Sequence, residues 1–150
     1  MVLTDKIDIA APPERVWTLL CDQDRFREWN FGVRAIVPIS SGRWAANSCF
    51  RMRYLFAGSE GNFLCEILEF DEPVKIVIHL KGGNLPLGGY IQEIYELSAS
   101  TKGTLLKRSV AVHKSGKNFL AGALLFLLHY LSRRRRTHLV KLRELAESYV

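Results

Sequence analysis

The stretch VLTDKIDIAAPPERVWTLLCDQDRFREWN, Val2 to Asn30, decides how the rest of the chain is read. Val2 to Ile9 predicts a strand. Pro12 and Pro13 then stand where a helix starts, because the missing N–H of a proline costs nothing in a first turn. Glu14 falls in that same turn, where the helix dipole favours a negative charge. Val16, Trp17, Leu19 and Leu20 supply an apolar face as far as about Cys21. Asp22 or Asp24 can cap a second short helix, whose Phe26 and Trp29 turn toward the core. Trp17 and Trp29 read as anchors between these helices and a sheet.

Strands dominate the next part of the chain. VRAIVPI (33–39) is one, with Pro38 marking an edge or a bend. SCFRMRYLF (48–56) alternates, placing Phe50, Met52, Tyr54 and Phe56 on one face and Arg51 and Arg53 on the other. NFLCEILEF (62–70) and VKIVIHL (74–80) are joined across Asp71-Glu72-Pro73, which is turn chemistry. GGYIQEIYELSA (88–99) and TLLKRSVAVH (104–113) predict a hairpin. Strands in a block without intervening helices imply an antiparallel sheet, hence an α+β class.

The chain ends in a long helical pattern from about Gly116 to Tyr149. At 100° per residue Leu120, Leu124, Leu127, Leu131, Leu142, Leu145 and Tyr149 share a face, with His138 in the stripe. Arg133, Arg136, Glu144 and Glu147 face away. Phe119, Leu125 and Phe126 lie off the stripe and call for a second cover, such as a loop, a partner chain or a membrane surface. The run from Phe119 to Leu131 is too short for a spanning helix, which takes roughly 20 apolar residues, and it contains His129. The antiparallel sheet has one face to cover, and this helix is the lid.

Composition fits one domain spanning residues 1–150, with 48% hydrophobic and 24% charged residues. The net charge of +6 is concentrated in Arg133–Arg136, a compact block without the spread of basic and aromatic residues that nucleic acid binding uses, so no nucleic-acid partner is expected. Cys21, Cys49 and Cys65 are odd in number and widely spaced, which argues against disulfides. The four histidines show no metal-ligand spacing, so neither a metal nor a cofactor is expected. The opening residues lack the profile of a signal peptide, and a cytoplasmic location is expected.

The hairpin carries the most informative chemistry. A two-residue turn at Thr101-Lys102 sets Leu97 opposite Leu106, Tyr95 opposite Arg108, Glu93 opposite Val110 and Ile91 opposite Val112. All eight then share one face, and Glu93 and Arg108 become diagonal neighbours on the inner side. Gln92, Glu96, Lys107, Ser109 and His113 take the other side. A register slip of one residue would reverse the two faces. An inward pair beside Tyr95, Tyr54 and Met52 could orient a polar ligand group or serve as a structural ion pair. His138 and Arg135 from the lid helix could approach the same space. KGGNLPLGG (81–89) is a loop without phosphate-loop character, and Leu85 and Leu87 are expected near the start of the long helix.

The residues Ala11-Pro12-Pro13, Val16-Trp17, Asp22 and Trp29, the KGTLLKRSVAV hairpin (102–112) and the closing arginine-rich helix together resemble the START-like (SRPBCC) superfamily, in particular its polyketide cyclase/dehydrase branch. The resemblance spans nearly the whole chain. It implies a helix-grip fold: a curved antiparallel sheet of six to seven strands around a long C-terminal helix, with two short helices after the first strand and an apolar cavity inside. No shared catalytic motif exists to carry over, and the catalytic residues are unknown. The expected partner is a small hydrophobic molecule, lipid- or polyketide-like, bound by Met52, Tyr54, Glu93, Tyr95, Arg108, Leu124, Leu131 and His138. Two alternatives stand beside it. One is a cyclase or dehydratase using Glu93, Arg108, Tyr95 or His138. The other is a module that docks on a membrane surface or forms a homodimer through Phe119, Phe126 and Arg133–Arg136.

Overall fold

The structure, a computed structural model, describes residues 2–56, 58–83, 85, 88–113 and 134–148. Its elements are β1 (Val2–Ile9), α1 (Pro13–Cys21), α2 (Gln23–Trp29), β2 (Val33–Pro38), β3 (Cys49–Phe56), β4 (Ser59–Asp71), β5 (Lys75–Gly82), β6 (Tyr90–Ala99), β7 (Thr104–His113) and α3 (Arg134–Glu147). The seven strands form one curved antiparallel sheet in the order β1-β7-β6-β5-β4-β3-β2. Strand β1 therefore crosses from its place in sequence to pair with the last strand, while α1 and α2 carry the chain to the opposite edge. Helix α3 packs on β1, α1 and α2.

Local chemistry explains the opening elements. Pro12 holds the extended backbone that precedes α1, and its carbonyl accepts from the N–H groups of Arg15 and Val16. Asp22 caps α2, its side chain accepting from the Asp24 backbone N–H at 2.9 Å. The turn between β1 and α1 consists of small residues because β7 crosses it closely. The Thr104 hydroxyl donates to the Ala11 carbonyl at 2.7 Å. A Cβ on Gly103, whose φ is +146°, would meet the backbone of Ala11 at 2.7 Å.

The β6–β7 register is the expected one: Tyr95 faces Arg108 and Glu93 faces Val110, with Ser100 and Gly103 closing the turn through mutual backbone hydrogen bonds. Two irregularities bend the sheet, one in β2 between Val33 and Ala35 and one in β4 between Ile67 and Glu69. A bulge shifts the side-chain alternation by one residue. Before the β4 bulge Phe63, Cys65 and Ile67 are buried; after it Phe70 turns in and meets Trp17 edge-to-face at 5.2 Å. Pro38 ends the edge strand β2, where its missing N–H breaks no ladder.

The core lies on the concave side. Trp17 and Trp29 are buried, and the Trp29 indole N–H donates to the Leu19 carbonyl at 3.0 Å. Trp44 is also buried, stacked on Phe50 at 4.9 Å and edge-on to Phe26 at 5.7 Å. On α3 the inward face is His138, Leu139, Leu142 and Ala146, with Leu145 half-buried. The face is thus rotated from the expected stripe toward Ala146, whose small side chain admits a close approach to α1: Arg15 reaches the Ala146 carbonyl at 3.4 Å. Ser109, expected on the solvent side, lies on the outer face but is covered there by Thr4, their hydroxyls 3.3 Å apart. The expected helix start and its residues Phe119, Leu120, Leu124, Leu125, Phe126, Leu127 and Leu131, with Arg133, Leu87 and Tyr149, lie outside the described residues. No described helix is long and apolar enough to cross a membrane.

Candidate functional site

Four side chains from three strands meet on the concave face. Strand β6 supplies Glu93 and Tyr95, two residues apart and therefore on the same side. Strand β7 supplies Arg108, directly opposite Tyr95. Strand β3 supplies Tyr54. The Arg108 guanidinium donates through Nη2 to Oε1 of Glu93 at 3.1 Å, and the Tyr95 hydroxyl donates to Oε2 of the same carboxylate at 2.7 Å. Both carboxylate oxygens thus have a donor. The Arg108 guanidinium carbon lies 5.6 Å from the centroid of the Tyr95 ring, and the guanidinium charge also acts on the Tyr54 hydroxyl.

The surroundings are apolar. Glu93 is 5% exposed and Arg108 is 2% exposed. Met52, Phe63, Cys65, Ile78 and Val110 are buried on the same face. Trp29 meets Tyr95 edge-to-face at 6.1 Å, and Phe63 meets Tyr54 at 6.3 Å. Tyr54 is positioned from behind by Gly32: a Cβ there would meet the Tyr54 ring at 2.5 Å. The close approach of ring to backbone explains why a residue without a side chain occupies position 32.

Burial raises the pKa of Tyr54 above the ordinary phenol value, and the Glu93 charge adds to it while Arg108 opposes it. Burial likewise holds Tyr95 well above its ordinary value; Arg108 opposes, while the charge of Glu93 and its hydrogen bond reinforce the shift. Burial, with the Glu93 charge behind it, also pushes the Cys65 thiol up, so Cys65 is a packing residue and not a nucleophile. The site therefore offers two un-ionised phenols beside the Arg108–Glu93 ion pair in a low-dielectric setting. Such an array can hydrogen-bond a ligand carbonyl or hydroxyl, or hold an enolate-like oxygen.

Of the residues expected at a site, Tyr54, Glu93, Tyr95 and Arg108 are brought together, and Met52 lies two residues from Tyr54 on the same face. His138 is buried on α3 with its ring edge-on to Phe31 at 5.7 Å. Leu124 and Leu131 lie outside the described residues, and the side chain of Arg135 is not described either. Sequence reasoning missed Trp29 and Phe63 as aromatic walls. The alternation of NFLCEILEF places Phe63 inward and was the available signal. His113, as expected, and His79 lie on the outer face, where they sandwich Tyr90 at ring distances of 4.5 and 4.6 Å. Leu85 packs against the core from the loop after β5.

Three solved structures illustrate the fold. The START superfamily protein from Mycobacterium smegmatis is 15% identical with a TM-score of 0.73, over 99% of both chains. TTHA0849 from Thermus thermophilus is 20% identical with a TM-score of 0.74, again over 99% of both. The di-domain aromatase/cyclase StfQ of the steffimycin biosynthetic pathway is 17% identical with a TM-score of 0.76, over 97% of this chain and 50% of that one. At such identities the likeness shows the fold alone. No curated protein matches the chain. The family model described as polyketide cyclase / dehydrase and lipid transport matches residues 2–147. A seven-stranded curved sheet closed by a C-terminal helix, with two short helices after the first strand, agrees with that match over almost the full length, and the chain belongs to the polyketide cyclase/dehydrase and lipid transport family.

Proposed function

We propose that this protein binds a small hydrophobic molecule, lipid- or polyketide-like, that carries at least one hydrogen-bonding oxygen. The body of the ligand lies against the concave face near Met52, Tyr54 and His138 of α3, and the sequence adds Leu124 and Leu131 as expected contacts. Its polar group is recognised by the cluster of Tyr54, Glu93, Tyr95 and Arg108. The observation that carries the reading is an ion pair with side chains 2% and 7% exposed, set among apolar residues and braced by two phenols. An ion pair in such a place is no better for stability than well-packed apolar residues, and often worse. Its presence is accounted for when it orients a ligand, since pockets of this kind are apolar with a few placed polar groups. The family description supports the ligand class.

The experiment is native mass spectrometry of the purified chain, followed by competition of a fluorescent lipophile with fatty acids and with aromatic polyketide-like ketones. Binding that discriminates oxygen-bearing ligands from plain hydrocarbons is expected, and E93M/R108M should retain the hydrocarbon affinity while losing the discrimination. A folded protein that takes up none of these ligands would sink the proposal.

A second reading, a cyclase or dehydratase, is favoured by one contact: the 2.7 Å hydrogen bond from Tyr95 to Glu93 is the geometry of a proton-transfer pair. It is tested by incubating a poly-β-ketone mimic with wild type and Y95F and following aromatisation. Unchanged turnover in Y95F removes Tyr95 from the chemistry.

A further inference from the structure

The convex face of the sheet carries a second arrangement, separate from the concave cluster. Across five strands Arg51, Leu64, Lys81, Tyr90 and His113 stand in one transverse row, each registered against the next. Strands lie about 4.8 Å apart, so Arg51 and Lys81 flank Leu64 with roughly 10 Å between their backbones. The row holds no carboxylate. Several other cations of the described surface are matched: Arg34 and Arg53 share Glu60, Lys75 meets Glu69, and Lys107 meets Glu96. Arg51 and Lys81 are both exposed and belong to no ion pair among the described residues. Glu66, in the next row, is registered against His79, not against either of them.

Shape and lining add to the charge. A groove of about 650 Å³ runs here, with Arg51, Asn62, Leu64, Lys81, Leu85 and Tyr90 in its walls. The ring sandwich of His79 and His113 holds Tyr90 upright, so that wall is preformed.

We propose that this groove binds a phosphate ester, its anionic group seated over Leu64 between Arg51 and Lys81. The guanidinium fork takes two oxygens, the ammonium acts as a point charge on a third, and the Asn62 amide is a further donor. Leu64 and the face of Tyr90 receive the organic part of the ester. The site stands whether or not the concave cluster binds a ligand. Such an ester comes either as a free small molecule or as a lipid headgroup.

The test titrates the isotope-labelled full chain with phenyl phosphate by NMR, and in parallel sediments it with vesicles of phosphatidic acid in phosphatidylcholine. Amide shifts confined to Arg51, Leu64, Lys81 and Tyr90 are expected, and R51Q/K81Q should weaken binding by roughly tenfold or more, the equivalent of one charge-assisted contact. R53Q/K107Q, which removes the same charge elsewhere on the convex face, should leave it unchanged. Localised shifts without vesicle binding assign a free ester; vesicle binding lost in R51Q/K81Q assigns a headgroup. No response to either probe, or an equal loss in R53Q/K107Q, overturns the proposal.

Discussion

Arg108 and Glu93 form an ion pair at 3.1 Å with almost no exposure to water, although they stand on different strands and not directly opposite each other. The diagonal offset leaves room for the Tyr95 hydroxyl on the second carboxylate oxygen. Removing one partner strands a buried charge. E93Q and R108M should each lose about 3–5 kcal/mol in urea unfolding. The double replacement E93M/R108M should recover most of that loss. A double variant as unstable as the sum of the singles would show that the pair does not act as a unit.

Gly32 permits the Tyr54 ring to lie against the backbone. In G32A the new Cβ sits 2.5 Å from the unshifted ring, so Tyr54 must move. The expected cost is about 1–3 kcal/mol, in the range of core overpacking. The ring resonances of Tyr54 should shift while those of Trp17, at the other end of the sheet, stay in place. Stability and spectra like those of the wild type would mean that the Tyr54 ring does not rest on the Gly32 backbone.

The contact of Thr104 with Ala11 ties the last strand to the turn after the first, across a buried hydrogen bond of 2.7 Å. T104V keeps the shape and leaves the Ala11 carbonyl without this donor, at a cost of about 1–3 kcal/mol. G103A drives a Cβ into the Ala11 backbone and also strains φ, so it should destabilise more than T104V. Thermal unfolding of the two variants decides the order.

The hairpin chemistry was legible because the two-residue turn leaves one register, and that register alone puts Glu93 and Arg108 inside. That Tyr54 shares the inner face with the pair was legible, but its direct reach to Arg108 was not. Three strands stand between β3 and β7, and only the sheet's curvature brings their side chains together. That curvature is helped by bulges at Val33/Ala35 and Ile67/Glu69, which carry no glycine or proline to announce them. The pairing of β3 with β4 out to Phe56 and Ser59 was likewise hidden, since Ser59-Glu60-Gly61 lacks strand character. On α3 the expected face was phased from the leucines near residue 120. Within the described helix His138 and Leu142 keep the expected inward place, Leu139 and Ala146 are buried beside them, and Leu145 is only half-buried.

His79 makes stability depend on acid. Burial lowers its pKa from the usual 6.5, Lys81 adds to this, and Glu66 opposes. A base whose folded value lies below its unfolded value disfavours the folded state once it must protonate. This contribution is therefore complete above pH 6.5 and is lost as pH falls from 6.5 through the lower folded value. H79Q should flatten that part of the curve of unfolding free energy against pH. An unchanged acid limb in H79Q would assign the loss to other groups.

The buried phenols act at the alkaline end. Tyr54 and Tyr95 both have pKa values raised by burial above the ordinary 10, so the unfolded chain gives up these protons first. The sign is that of a raised group: its stabilising share is intact below pH 10 and is lost as pH climbs through the folded value. Alkali should therefore unfold the protein cooperatively, with the two phenolate signals rising together with the loss of near-ultraviolet circular dichroism. Y54F and Y95F should each remove one phenol from that late step and leave the earlier tyrosine ionisation unchanged. If either phenol ionises while the fold is intact, water reaches the Glu93 carboxylate, and the low-dielectric setting on which polar-group recognition depends does not exist.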